Sequence, residues 1–451
     1  MSTTAAPSPT SDTQEPVNLL RRLARRVIPE PVRTMRHRIQ RAVMQTEPRG
    51  RAWGVYWRRR DDAMSTVHQL AHRLATAGRR RSRIMTLLWP VAVVRLGALL
   101  AFGQHGRLAR TRGAGPAVRQ LWQLWWLAMR NHITPHSYYK LELYRTDRRR
   151  QVNQYLQHHE IVALMPYVKV PNRLAWFDKR NLEGLCRAAH IPCIPIVANV
   201  SEGRFQFAEG RDRLPREDLF VKVDNLWGGL GAICWRYDGT TDLWQSSEGM
   251  TADERRLIDW LQAYAADRSI VVQPRVRNHP HLARWSNGAL CTVRVVTFWR
   301  GGAVQHVAAC LRMPVGDSVV DNLAAGGMAA WIDPDGRLSG AVNKSTRRFD
   351  AHPDTGSPIC GQLLPDWDAV RSLASRAHVK AAYPGFVGWD IAVTERGALL
   401  VEVNKTPCVE VIQMPAGQSM GSLGFGESFL ALLEHPEVAA AIKANGDKSR
   451  E

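Results

Sequence analysis

The chain of 451 residues has only seven cysteines, and no two of them stand in a CxxC pair. Such scatter offers neither a disulfide framework nor a thiolate metal knuckle, and it points to a reducing compartment. The first 18 residues are polar and hold no apolar core of the secretory kind. A cytoplasmic setting is therefore expected. No Ser/His/Asp arrangement is recognisable, which removes the usual basis for triad hydrolysis. Zinc-finger, helix-turn-helix and RNA-binding motifs are lacking too, so nucleic acid is not the expected partner. No internal repeat is apparent.

Acidic charge is scarce in the first third. Residues 1–150 carry 29 Lys and Arg against 8 Asp and Glu, whereas the rest carries 32 against 33. The whole excess of positive charge thus belongs to the N-terminal region, which reads as an adapter for something anionic. Residues 1–17 are rich in Ser, Thr and Pro and are expected to be disordered. Residues 19–26 and 32–43 can form short basic helices, separated near Pro29 and Pro31. Trp53, Tyr56 and Trp57 interleave with arginines, a composition that suits a lipid interface or nucleic acid.

A long apolar run covers residues 84–102, broken by Pro90 and Arg95. An arginine at the centre of a span costs about 2.5–3.5 kcal/mol, and each strongly apolar residue returns about 0.3–0.6 kcal/mol. Ten such residues make insertion marginal, so a buried or interfacial helix is expected rather than a span. The basic cluster at 79–83 would face anionic headgroups on the cytoplasmic side. Val118, Leu121, Trp122, Trp125 and Met129 follow helical spacing and read as a core stripe. From Phe177 onward helices and strands alternate, an α+β pattern.

Two segments carry chemistry. Gly388 to Val393 and Leu399 to Asn404 are apolar runs around a short turn, which predicts a hairpin. Asp390, Glu402 and Asn404 interrupt it, and Glu402 and Asn404 share a face. They are either solvated positions on an edge hairpin or a site where Mg²⁺ meets substrate phosphates. Earlier, a strand over residues 218–223 carries Lys222, followed by a loop containing Gly228, Gly229 and Gly231. Glycines let backbone N–H groups approach phosphate. The lysine precedes the glycines, so this is no Walker A loop. It is either a nucleotide flap or a hairpin turn beside a snorkelling lysine.

In this order, Lys222 with its glycine loop, Asp390 and Glu402-x-Asn404 resemble an ATP-grasp enzyme. Lys179, in Asp178-Lys179-Arg180-Asn181, resembles the ATP-contacting lysine at the start of a helix. Gln273, closing the strand from Ile270, is similar to the adenine-hinge position, where many relatives carry Glu. Arg294, in Thr292-Val293-Arg294-Val295, resembles the arginine that holds a substrate carboxylate. Asn322, in Asp321-Asn322-Leu323, is similar to the segment near the γ-phosphate. Within the superfamily, the sugar-transfer-associated ATP-grasp family, related to α-L-glutamate ligases, is the match over roughly residues 140–435.

The resemblance implies two α+β subdomains clamping ATP over residues 161–435. Around them are expected a basic tail at 1–50, a basic and apolar helical region at 51–160, and a C-terminal tail at 436–451. It further implies ATP and Mg²⁺, with Asp390, Glu402 and Asn404 as metal ligands. Lys179, Lys222, Gly228, Gly229, Gly231 and Gln273 would bind nucleotide, and Arg294, Lys222 and Asn322 would serve catalysis. The implied reaction joins a carboxylate substrate to an amine acceptor through an acyl phosphate, in polysaccharide or sugar-conjugate biosynthesis. A kinase acting on a hydroxyl, or a non-catalytic adapter for membrane or nucleic acid, are the alternatives. An anionic membrane surface or lipid-linked substrate is the further partner expected for residues 1–110, with peripheral attachment at the inner face of the membrane. His279 and His281 read as a surface loop; Lys405 and Cys408 follow the metal strand, where Lys405 either shapes the substrate pocket or points to solvent.

Overall fold

The computed structural model of the chain describes residues 62–76, 81–224, 231–300 and 302–447. The expected tail helices within residues 19–43, the aromatic–arginine segment at 53–60, and Gly228 and Gly229 lie outside them. Two antiparallel sheets organise the rest. The first contains β1 (Ala198–Ser201), β2 (Arg204–Phe207), β3 (Leu219–Val223), β4 (Ile233–Asp238), β5 (Leu243–Ser246), β6 (Thr251–Ala252) and β7 (Ser269–Pro274), ordered β2-β1-β7-β3-β4-β5-β6. The second contains β8 (Thr292–Arg300), β9 (Ala303–Met313), β10 (Met328–Ile332), β11 (Leu338–Asn343), β12 (Arg348–Phe349), β13 (Phe386–Thr394) and β14 (Gly397–Asn404), ordered β12-β11-β10-β9-β8-β13-β14.

The first sheet packs one face on the helix Glu254–Tyr264, through Val221, Trp235, Trp244 and Leu257. The second is covered on both faces. Val293, Val295, Trp389 and Ile391 meet Leu373 and Ala377 of the helix Trp367–Ala381. On the other side, Val296, Phe298 and Phe386 join residues of the helices Ala63–Thr76, His158–Tyr167 and Phe425–Leu433. This double cover explains why β13 reads as a near-continuous apolar run, and every one of its residues is buried. Beyond β14, Val438 of the helix Pro436–Asp447 is buried in the same core.

The expected hairpin is formed, with Asp390 directly opposite Glu402 and Gly388 opposite Asn404. A bulge at Val401 shifts the register, so that Ile391 faces Leu400. A buried relay fixes β13 in place: Trp389 Nε1 donates to Thr297 Oγ1 at 2.7 Å, Thr297 Oγ1 lies 2.7 Å from His378 Nδ1, and His378 Nε2 lies 2.9 Å from the Tyr383 carbonyl.

The helical region departs from expectation at one point. The helix Arg81–Phe102 and the helix Ala117–Asn131 pack together where Gly97 leaves room, since a Cβ there would lie 2.9 Å from Leu121. The second helix fully buries Ala117, Gln120, Leu124, Leu127 and Ala128, and Leu121, Trp125 and Met129 of the predicted stripe pack half-buried against that core. Val118 and Trp122 of that stripe are 70% and 63% exposed. Spacing identifies an apolar face; it does not say that the face is turned inward. The helix Arg81–Phe102 likewise buries Trp89, Val93 and Ala101, and no described helix is long and apolar enough to cross a membrane.

A buried ion pair ties the helix Ala63–Thr76 to the helix His158–Tyr167. His68 Nδ1 lies 2.6 Å from Glu160 Oε1, and Glu160 Oε2 accepts from the Gln157 N–H at 2.8 Å. Burial alone would pull the His68 imidazole down, but the Glu160 charge and hydrogen bond lift it above its ordinary value. Burial would raise Glu160, yet His68 holds it at about 2. The His68 contribution to stability is full below the free-histidine value of about 6.5 and fades as pH rises through the raised value. The Glu160 contribution is present above about 4.3 and fades only as pH falls toward about 2. Urea unfolding should therefore show Glu160→Gln losing about 3–5 kcal/mol near pH 6. The difference from wild type should shrink above the histidine range.

Candidate nucleotide and phosphoryl-transfer site

Elements from both sheets bring the predicted residues together. Lys222 stands on β3 and Gln273 on β7 of the first sheet, and Glu402 on β14 of the second. Lys179 opens the helix Lys179–Ala189, whose N-cap Asp178 accepts from the Arg180 N–H. These four line one recess, together with Ile194 and Leu400. Lys179 Nζ lies 3.6 Å from Glu402 Oε1 and donates to the Val223 carbonyl at 3.4 Å. Gln273 is buried and its amide donates to the Ile194 carbonyl at 3.3 Å.

Lys222 differs from the others. Its side chain is half-buried, and its ammonium has no hydrogen-bond partner among the described residues, lying 5.8 Å from the Phe220 ring centroid. Burial lowers its pKa, Lys179 lowers it further, and Glu402, Asp390 and Asp321 pull the other way. An ammonium left in this state is poised for an anion. Lys179 and Lys222 share the recess with Glu183 and Glu402, and Glu183 accepts from the Ile196 N–H at 2.9 Å.

Next to the recess, Asp390 is locked between two arginines. Arg294 on β8 donates from Nε and Nη2 to both carboxylate oxygens, the second bond at 2.9 Å. Arg312 on β9 donates to Asp390 Oδ2 at 3.1 Å. Asn404 adds its amide N–H at 3.4 Å. Burial would raise Asp390, but the two guanidinium groups hold it below its ordinary value. Gly388 leaves the space that this requires, because a Cβ there would lie 3.2 Å from Arg294 Cδ. Arg312 also reaches Thr292 Oγ1 at 3.0 Å, Asn322 Oδ1 at 3.4 Å and Asp321 Oδ1 at 3.4 Å. It thereby gathers Asn322 to the same cluster.

The sequence reading missed Arg312. Its signal was an arginine inside the apolar run Ala308-Ala309-Cys310-Leu311-Arg312-Met313, the same kind of interruption that singled out Asp390. The guanidinium fork of Arg294, expected to hold substrate carboxylate, is turned to Asp390 instead. Lys405 is exposed, His279 caps the short helix Pro280–Ala283, and His281 lies 2.7 Å from Arg284 Nη2. Cys408 precedes the helix Val409–Ala416 without a side-chain hydrogen bond to its first turn. Burial raises its thiol, but the neighbouring His158 brings it below its ordinary value. Gly231, at the edge of the glycine loop, has φ +74°.

The family model for sugar-transfer associated ATP-grasp proteins matches residues 167–423, which include every residue of this site. The chain belongs to that family. This ATP-grasp chain matches no curated protein by sequence. Among solved structures, it is similar to D-alanyl-alanine synthetase A from Vibrio cholerae, at 13% identity and a TM-score of 0.35, over 59% of this chain and 67% of that one. It is similar to the ATP complex of D-alanine–D-alanine ligase from Bacillus anthracis at 12% identity and a TM-score of 0.31, over 60% and 68%. L-amino acid ligase from Bacillus licheniformis matches at 10% identity and a TM-score of 0.30, over 51% and 40%.

The predicted metal residues are unequal in this ATP-grasp site. Asp390 has both oxygens engaged by arginines. Glu402 is one-third exposed with one oxygen near Lys179, and the Asn404 carbonyl oxygen accepts no hydrogen bond among the described residues. Among the described residues no cluster of three or more His, Cys, Asp or Glu could hold a metal. Two oxygen donors with a rear carboxylate suit a hard cation only when phosphate oxygens complete its shell.

This inequality gives a stability prediction. Asp390→Ala should cost about 3–5 kcal/mol in urea unfolding, because it leaves two buried guanidinium groups without their counter-charge. Glu402→Ala should stay within about 1 kcal/mol of wild type, as its partner can reach water.

Proposed function

We propose that the chain is an ATP-dependent ligase that joins a carboxylate substrate to an amine acceptor through an acyl phosphate, in polysaccharide or sugar-conjugate biosynthesis in the cytoplasm. The observation that carries the reading is Lys222: a desolvated ammonium with no hydrogen-bond partner among the described residues, between two sheets, beside Lys179. Phosphoryl transfer asks for positioning and charge neutralisation rather than a protein nucleophile. Lys222 and Lys179 meet the phosphates, and the Gln273 side chain lies at the adenine end.

Glu402 and Asn404 are the residues that would hold Mg²⁺, with Asp390 behind them. When bound, the cation neutralises charge on the β- and γ-phosphates. The substrate carboxylate oxygen attacks the γ-phosphorus and ADP leaves; the amine then attacks the acyl carbon, phosphate leaves, and the nitrogen loses a proton. Arg294 and Arg312 keep Asp390 ionised, and Arg312 holds Asn322 beside it, toward the reacting phosphate.

One observation favours a second reading. With the Arg294 fork occupied by Asp390, the site offers less for a substrate carboxylate than the family resemblance implied. A kinase phosphorylating a hydroxyl would use the same phosphate machinery.

ADP release with Mg²⁺ and a panel of acids and amines tests the proposal. Lys222→Ala and Glu402→Gln should each lower turnover about 10²–10³-fold while remaining folded. Product mass then separates the readings: a condensation product supports the ligase, and a gain of about 80 Da on a hydroxyl compound supports the kinase. ATP-independent behaviour of the well-folded chain would sink both.

A further inference from the structure

We propose that the packed helices Arg81–Phe102 and Ala117–Asn131 form a docking face for an anionic phospholipid bilayer, on which the protein lies without crossing. The inference is independent of the ligase reading. Its first basis is exposure. On the first helix Leu88, Val91, Leu99 and Phe102 are between 52% and 66% exposed, at spacings that place them on one side. On the second, Val118, Trp122 and Trp126 are exposed, and Trp122 stacks on Trp125 with centroids 5.7 Å apart. Large apolar side chains grouped in this way on partnered helices mark a surface that meets something apolar.

The second basis is charge. Residues 63–141 contain no Asp or Glu, and 12 Lys and Arg. Arg95, Arg107, Arg110, Arg119 and Arg130 are exposed around the apolar side chains, and the Arg130 guanidinium lies over Trp126 at 5.8 Å. Arg95 sits in the middle of the apolar side of its helix, between Val91 and Leu99. Such an arginine lays its stem along hydrocarbon and raises its head to the phosphates. A nucleic acid would satisfy the charges but leave Leu88, Leu99 and Phe102 in water. A bilayer surface satisfies both, with the apolar side chains in the acyl boundary and the arginines among anionic headgroups. Since no described helix is long and apolar enough to span, the contact is interfacial.

Flotation of the full chain with vesicles tests this. Phosphatidylcholine vesicles should bind weakly, and vesicles with roughly one-third phosphatidylglycerol about tenfold or more tightly, an advantage lost in high salt. The double variant Leu99→Glu/Trp122→Glu should lower binding to the anionic vesicles about tenfold or more, with its thermal melt and ADP release unchanged. Arg110→Gln/Arg119→Gln, which leaves the apolar side chains alone, should weaken binding to anionic vesicles only. Absence of wild-type binding to the anionic vesicles would overturn the proposal, as would unchanged binding by the apolar variant. It would equally fall if light scattering showed a dimer that the apolar variant dissolves, since a second copy would then cover the face. Duplex DNA binding that the apolar variant abolishes would overturn it as well.

Discussion

The site is built around one carboxylate that is not free to move. Asp390 lies on a strand covered from both sides, where an unpaired charge would be expelled or neutralised. Arg294 from the next strand and Arg312 from the strand after it supply the counter-charges, and each is itself buried. Remove the aspartate and two cations are stranded; remove either arginine and the aspartate loses one of the two charges that hold it ionised. Strand order β9-β8-β13 is therefore coupled to electrostatics: the three side chains meet because those strands are neighbours. The Trp389–Thr297–His378 relay holds the same strands from the opposite face, so the rigid part of the site is fixed front and back.

Onto this rigid part the second element, Lys222, adds an ammonium with no hydrogen-bond partner among the described residues, and Lys179 beside it pairs with Glu402. Glu402 and Asn404 stand between the two. This division separates structural ionisation from chemistry: Asp390 keeps the frame, whereas Glu402, reached by solvent, is available to exchange partners. A hairpin that looks like three equivalent ligands in sequence is, in space, a graded set.

Much of this was legible in the chain. The β13–β14 hairpin announced itself because polar residues cannot enter apolar strands without a reason, and Lys222 announced itself before its glycine loop. The helix that Lys179 opens followed from the family resemblance. Sheet order was not legible, since β1 pairs with β7 and β8 with β13 across long separations that no local pattern encodes. Arg312 was missed for a related reason: its meaning comes from Asp390, 78 residues away. Arg294 was assigned to a substrate because the register that faces it toward Asp390 could not be read. Of the stripe through Trp122, Leu121, Trp125 and Met129 lie against the core, whereas Val118 and Trp122 are turned out, because a 3.6-residue period marks a face and leaves open what covers its edge.

The bulge at Val401 has a consequence for how this hairpin can change over time. Strands count in twos, and a slip of one residue turns every side chain over. By absorbing one odd residue between the turn and the site, the bulge acts like a splice in a ruler: markings on either side are set independently. Leu400 can stay in the core while Glu402 keeps its place opposite Asp390. Length variation near Thr394 and Gly397 then reaches the bulge before it reaches the carboxylates, so the exposed end of the hairpin is free to drift while the functional end stays in register.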